Sequence, residues 1–219
     1  MNAYSLNQEF ASGDNIALLG RKERHRLLRK NDISKAAEHV FALKGFYKAT
    51  IQDIARQAQY AAGTVYLYFK DKDALYLHIL EEKIRQFAQV LNLKDAENKT
   101  PGEKLEEFVY ESLLFFEKNQ DFFRIFVREE SSWSIKSKIA KLPAVNKPKE
   151  IFIRAIKQAQ DAGLIKDGLD AAHVNIILES IIISSVFRFW EEKKSLQEKE
   201  RLDMSGMIMD LFLNGAKKN

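Results

Sequence analysis

Apolar side chains recur at three- and four-residue spacing along most of the chain, and the strict alternation that marks a half-buried strand does not stand out anywhere. Three prolines and nine glycines in 219 residues leave few stops between the periodic stretches. The pattern therefore predicts an all-α fold of about nine or ten helices. Ile33, Ala36, Ala37, Val40 and Phe41 share the buried face of a first helix, from about Asn31 to a glycine stop at Gly45. Leu75, Ile79, Ile84, Phe87 and Leu91 carry a fourth helix, started by Asp71 or Asp73 and ending near Leu93. Thr100 with Pro101 opens the fifth. Later breaks fall near Asn119, at Leu142 to Pro148, at Gly163 to Gly168 and around Ser195. The length suits one small and one medium domain, with enough chain to bury a core.

Residues 50 to 70, TIQDIARQAQYAAGTVYLYFK, form two short amphipathic segments hinged at Gln59 to Ala62. Thr50 stands where a helix needs a cap, and Ile51, Ile54, Ala55 and Ala58 then fall on one helical face. A second helix from about Gly63 turns Val65 and Phe69 inward. Ala62, Gly63, Thr64, Tyr66 and Tyr68 are left toward a groove or its phosphate walls, the small residues at the start allowing backbone to approach bases. Lys48 before the pair and Lys70 after it sit as phosphate clamps, with Thr50 and Tyr68 as further phosphate holders.

Two packed helices in an ordinary bundle would show the same periodicity, but the charge distribution favours DNA. Residues 21 to 72 hold 12 lysines and arginines against 5 acids, a net of +7 in a chain whose total is +4. The excess positive charge lies on the segment that would meet phosphates. Its densest part is RKERHRLLRK, residues 21 to 30, read either as an N-terminal extension of the first helix or as a mobile arm reaching along the DNA backbone or into a minor groove. A solvated helix end with no DNA role is the plainer reading of the same run.

Ala36-Ala37, Phe41, Gly45, Thr50, Asp53-Ile54-Ala55, Ala58, Gly63-Thr64, Tyr66, Tyr68-Phe69-Lys70, Lys72 and Leu75 together match the signature of the tetracycline repressor (TetR) family, which the chain resembles over about residues 31 to 78. Residues 1–20 are expected to be a flexible leader, and the resemblance implies a three-helix helix-turn-helix DNA-binding domain over 21–72 and an effector-binding, dimerising helical domain over 73–219. It implies a homodimeric repressor on a palindromic double-stranded operator, coupled to a small hydrophobic effector by a swing of the fourth helix, without a cofactor. Two departures stand out. The family's turn glycine and serine cap are here Gln59 and Ala61, and Tyr60 replaces a small apolar residue, so the turn is expected to rest on packing by Tyr60.

Past residue 100 the sequence offers two apolar constellations. Phe108, Phe115, Phe116, Phe122, Phe123, Phe126 and Trp133 crowd the fifth and sixth helices. They are either plain core or the lining of an effector cavity, for which Phe115, Phe126, Trp133, Glu179 and Phe187 are the candidates. Arg124, Arg128 and Arg188 are alternative polar groups for orienting a ligand, or halves of internal ion pairs. The stretch from about Leu169 to Lys193 is apolar nearly all round, and Met204, Met207, Ile208, Leu211 and Phe212 follow at helical spacing. These last two helices are expected to pair with their symmetry mates in a homodimer, an intrachain core being the alternative.

Val174 to Trp190 is the longest apolar stretch, but it contains Asn175, Glu179 and Arg188 and reads as a buried helix, not a membrane span. Residues 1 to 20 lack the basic start and long apolar run of a signal peptide, and absent cysteine fits a reducing compartment, so a cytoplasmic protein is expected. His25, His39, His78 and His173 are scattered without metal-ligand spacing, and no HExxH, P-loop or GxSxG sequence occurs. An enzyme is not expected, nor a bound metal. The alternative to an effector-controlled repressor is an architectural DNA binder or a protein-interaction module without an effector.

Overall fold

The computed structural model describes residues 20–95, 98–129, 137–192 and 195–215. Among these residues there are nine helices and no strand: α1 Arg21–Lys44, α2 Ile51–Gln57, α3 Ala62–Tyr66, α4 Lys72–Asp95, α5 Pro101–Lys118, α6 Gln120–Glu129, α7 Asn146–Asp161, α8 Ala171–Glu192 and α9 Glu198–Asn214. The architecture is all-α, as the periodicity predicts. The proposed leader up to Leu19 lies outside the described residues, as does Trp133. The chain divides into two compact units, up to Tyr76 and from Leu77 onward, so the division falls inside α4.

In the first unit Ile33, Ala37, Ile54, Val65 and Leu75 are fully buried, drawing α1, α2, α3 and the start of α4 onto one core. Phe41, Phe46 and Tyr76 add an aromatic knot, with Tyr76 edge-on to Phe41 at 5.3 Å and to Phe46 at 4.8 Å. Gly45 ends α1 at φ 76°, its N–H donating to the Phe41 carbonyl at 2.8 Å, a conformation that costs glycine least. α1 starts at Arg21, ahead of about Asn31, so residues 21–30 are the N-terminal extension of the first helix that was one reading of that run. The helix runs unbroken from Arg21 because its arginines, lysines and leucines are good helix formers and no breaker intervenes after Gly20.

In the second unit α5 packs against α6, α7, α8 and α9, and α7 packs against α8. Thr100 and Glu103 form the reciprocal capping box that starts α5, with Pro101 at the first helical position where its missing N–H costs nothing. Phe108 meets Phe152 edge-on at 5.5 Å, and a run of ring contacts passes from Phe87 through Phe115 to Phe122 and Phe126. Within its own chain α8 is covered on only one side. Ala171, Val174, Leu178, Ile182 and Val186 are buried, whereas Ile176 and Ile177 are each 56% exposed and Phe187 is 47% exposed. The hydropathy of a helix that is apolar all round does not say which side its own chain covers.

Candidate nucleic-acid interface and ligand cavity

The helix-turn-helix is built from its caps. The Thr50 hydroxyl accepts from the Asp53 N–H at 3.1 Å and donates to Asp53 Oδ2 at 2.8 Å, while the Thr50 N–H returns to the same carboxylate at 3.2 Å. Lys44 Nζ lies 2.8 Å from the other Asp53 oxygen. The bond to Lys44 first, and those to Thr50 next, hold the Asp53 carboxyl at about 2, below its ordinary 3.8. α2 then ends in a Schellman motif, with Tyr60 N–H on the Ala55 carbonyl at 2.9 Å and Gln59 N–H on that of Arg56 at 3.2 Å. Gln59 takes the left-handed position, φ 59°, where a glycine is the usual occupant. In α7 the same pair of bonds is closed by Gly163, φ 74°.

Tyr60 leaves this turn and donates its hydroxyl to Asp32 of α1 at 3.1 Å. Burial, and then the bond to Asp32, push its phenol above the ordinary value, with Arg29 opposing and Tyr68 adding a little. Lys30 sits over the Phe69 ring at 5.6 Å, a second tether from α1 to the segment after α3. Lys72 gives Nζ to the carbonyls of Phe46 at 2.7 Å and Ala49 at 2.9 Å and lies 4.5 Å above the Phe46 ring, so the loop before α2 is clamped to the start of α4. The sequence marked Lys72 as a motif residue but gave no sign of this role. Ala61 precedes α3 without a side-chain cap, in keeping with the missing serine.

α3 begins at Ala62, and turns at Leu67 and Tyr68 prolong it toward Phe69. Gly63, Tyr66 and Lys70 are exposed, Ala62, Thr64 and Tyr68 are half-buried, and Val65 and Phe69 face the core. Lys48 and Thr50 are exposed on the loop leading into α2, although the Thr50 proton is already given to Asp53. Tyr47 and Leu67, the latter at 80%, are also exposed, in the loop before α2 and just after α3.

In the second unit a cavity of about 50 Å³ opens between Phe87 of α4, Ser112 and Phe116 of α5, Pro148, Lys149 and Phe152 of α7, and Asn175, Glu179, Ile182 and Ile183 of α8. Ser112 spends its proton on the Phe108 carbonyl at 2.6 Å. Asn175 is buried and makes no side-chain hydrogen bond among the described residues. Of the sequence candidates, Glu179 lines this space. Phe115 and Phe126 do not; their rings are taken up by Phe87 and Phe122, and Phe187 faces outward. Periodicity places a ring on a helix face but does not say which neighbours fill the space beside it, which is why Phe87, Phe152 and Asn175 went unmarked. No group of three or more potential metal ligands occurs among the described residues.

A capped two-helix reading head on a basic domain, followed by a helical unit with an apolar cavity, defines a helix-turn-helix transcriptional regulator. Residues 33–79 match the family model of bacterial regulatory proteins of the tetR family. Over that segment the chain carries the helix-turn-helix of the TetR family. It is 26% identical over 185 residues to the fatty acid metabolism regulator protein of Bacillus subtilis (strain 168), covering 84% of this chain and 93% of that relative. The crystal structure of the transcriptional regulator FadR from Bacillus subtilis in complex with stearoyl-CoA matches with a TM-score of 0.73 at 24% identity, over 85% of this chain and 98% of the other. The fatty acid degradation regulator FadR from Bacillus halodurans matches with a TM-score of 0.76 at 20% identity, over 87% and 97%. At these identities the structural likeness speaks for the fold.

Proposed function

We propose that this regulator is a repressor which grips a palindromic operator as a homodimer and releases it when a long-chain acyl group, carried as an acyl-CoA, enters the cavity of the second unit. The observation that carries the DNA half is Gly63. A Cβ there would meet nothing within 4 Å in this chain, so no intrachain contact calls for glycine in α3. Glycine inside a helix costs about 1 kcal/mol relative to alanine, a cost with a reason if DNA backbone comes up against that position. Thr64 and Tyr66 then meet bases or groove walls, and Lys48, Tyr68 and Lys70 hold phosphates, with Thr50 fixing the start of α2.

The ligand half is supported by a relative named as a fatty acid metabolism regulator and by the fold shared with a protein crystallised with stearoyl-CoA. The cavity's chemistry agrees, since its walls are mostly apolar with a few polar groups, Asn175, Glu179 and Lys149 among them. Its present volume holds only about four water molecules, so an acyl chain must spread the helices to enter. Phe87 is carried by α4, the helix that begins in the DNA-binding unit, and moving it is the proposed coupling. Asn175 is the amide that would meet the ligand's inner polar atom.

The dimer is supported by an uncovered apolar stripe on α8, Ile176, Ile177 and Phe187, and by Leu202, Met207 and Leu211 on α9. Ser180, Ser184 and Gly206 are exposed among them and small enough for close helix approach. A cytoplasmic location goes with this reading. Fluorescence anisotropy against DNA from upstream of its own gene, with random DNA of equal length as control, tests the DNA half. Sequence-preferring binding that weakens steeply from 50 to 200 mM salt is expected, and equal affinity for both DNAs contradicts an operator there.

A further inference from the structure

The buried stripe of α1, Ile33, Ala37 and Val40, continues toward the N-terminus at the same three- and four-residue spacing as Arg29, Arg26 and Lys22. The apolar part of the stripe packs on the domain. The cationic part runs past its edge, and all three side chains are exposed. Family-model similarity starts at residue 33, so this part of the helix lies outside the matched span.

Where the stripe changes character is fixed by two contacts. Asp32 receives the Tyr60 hydroxyl from the helix-turn-helix turn, and Lys30 lies over Phe69, just after α3. Arg29 is near enough to act electrostatically on Tyr60, and Tyr60 in turn feels Tyr68. The cations therefore begin beside the reading head and lead away from it. Glu23 is the one acid within residues 21–30, and it lies 3.5 Å from Arg26 in an exposed pair that phosphate can outcompete.

We propose that Lys22, Arg26 and Arg29 form a rigid cationic rail that binds the phosphate backbone of duplex DNA flanking each operator half-site. From Lys22 to Arg29 the helix rises about 10 Å, and one strand of B-DNA carries a phosphate about every 3.4 Å along its axis, so about three phosphates face three cations. Because the rail is helical, its charges keep their spacing on binding and add affinity without reading bases. This rests on the DNA-binding reading above.

The test uses a duplex recovered from a random-sequence pool by in vitro selection with the full-length protein, prepared trimmed to the selected bases and again with about 8 base pairs of mixed sequence on each side. Affinity for both is measured from 50 to 200 mM salt for wild type, for K22Q/R26Q/R29Q, and for the charge-matched control K141Q/K157Q/K166Q, whose three lysines are exposed in the second unit. Circular dichroism checks that each variant keeps its helices. Two rails of three cations in the dimer face about six phosphates, so on the flanked duplex the rail variant is expected to show a salt slope shallower by about 5 units, and wild type loses about 10³-fold more affinity than the variant across that range. On the trimmed duplex the two should agree, and the control should match wild type on both.

Equal slopes for wild type and rail variant on the flanked duplex overturn the rail while leaving the repressor reading intact. Equal loss in the control overturns it too, as a net-charge effect. A wild type from which selection recovers no sequence overturns both readings.

Discussion

The Tyr60 hydroxyl donates to Asp32 across 3.1 Å, joining the turn of the reading head to α1. The residue just before it, Gln59, holds the left-handed φ of 59° that closes the Schellman motif. The departure from the family's glycine is thus met by a strained glutamine and a tyrosine anchor side by side. Left-handed backbone costs a side-chain-bearing residue about 1 to 2 kcal/mol, and glycine's extra unfolded freedom costs about 0.5 to 1. Gln59→Gly should therefore stabilise the protein by about 0.5 to 1 kcal/mol in urea unfolding. Tyr60→Phe should lose about 0.5 kcal/mol, the low end for a hydrogen bond near solvent. A Gln59→Gly variant less stable than wild type would show that the turn is not under strain.

Acid should loosen the start of α2. With the Asp53 carboxyl held at about 2 from an ordinary 3.8, its folded form takes up a proton less readily than its unfolded form. The stability this provides is complete above the unfolded value and drains as pH falls from about 4 toward 2. The melting-temperature gap between wild type and Asp53→Asn should stay constant at higher pH and narrow across that window. A gap independent of pH from 6 to 2 would mean that Lys44 and Thr50 do not hold the carboxylate.

Gly63 should separate stability from DNA binding. Gly63→Ala has open space for its methyl and improves helix propensity, so the fold should gain about 0.5 to 1 kcal/mol. The same methyl should weaken operator binding, with the salt slope unchanged because no phosphate contact is lost. Unchanged affinity in a stabilised variant would remove close backbone approach from the account.

The uncovered stripe on α8 predicts that Ile177→Glu breaks the dimer, since a carboxylate there would be buried against the partner helix. Sedimentation should give a wild-type mass near twice 25.3 kDa and a variant mass near 25.3 kDa with helicity retained. A wild type that sediments as a monomer at micromolar concentration would contradict the interface.

Much of the fold was legible because its punctuation is local. Thr50 and Thr100 announce the starts of α2 and α5, and Gly45 closes α1. The beginning of α1 was left open between a helical extension and a mobile arm, because Gly20 makes no side-chain cap bond there and a run of charges carries no apolar period to mark a helix. The cavity escaped for another reason. Phe87 and Phe115 lie on equally periodic stripes with rings 5.0 Å apart, and only packing decides that the first lines the open space while the second is spent on its neighbours. On α8, apolar residues all round hid the difference between the side its own chain covers and the side left open.

If acyl-CoA and operator compete through the fold, anisotropy of a labelled operator duplex bound by the protein, titrated with stearoyl-CoA and, in parallel, with coenzyme A alone, reads that competition directly. Linkage requires that the ligand weaken DNA binding by the factor by which DNA weakens the ligand. The expected result is release by stearoyl-CoA at micromolar concentration, no release by coenzyme A, and a loss of response in Asn175→Leu with DNA affinity retained. A complex indifferent to stearoyl-CoA, or one released equally by coenzyme A, would contradict it.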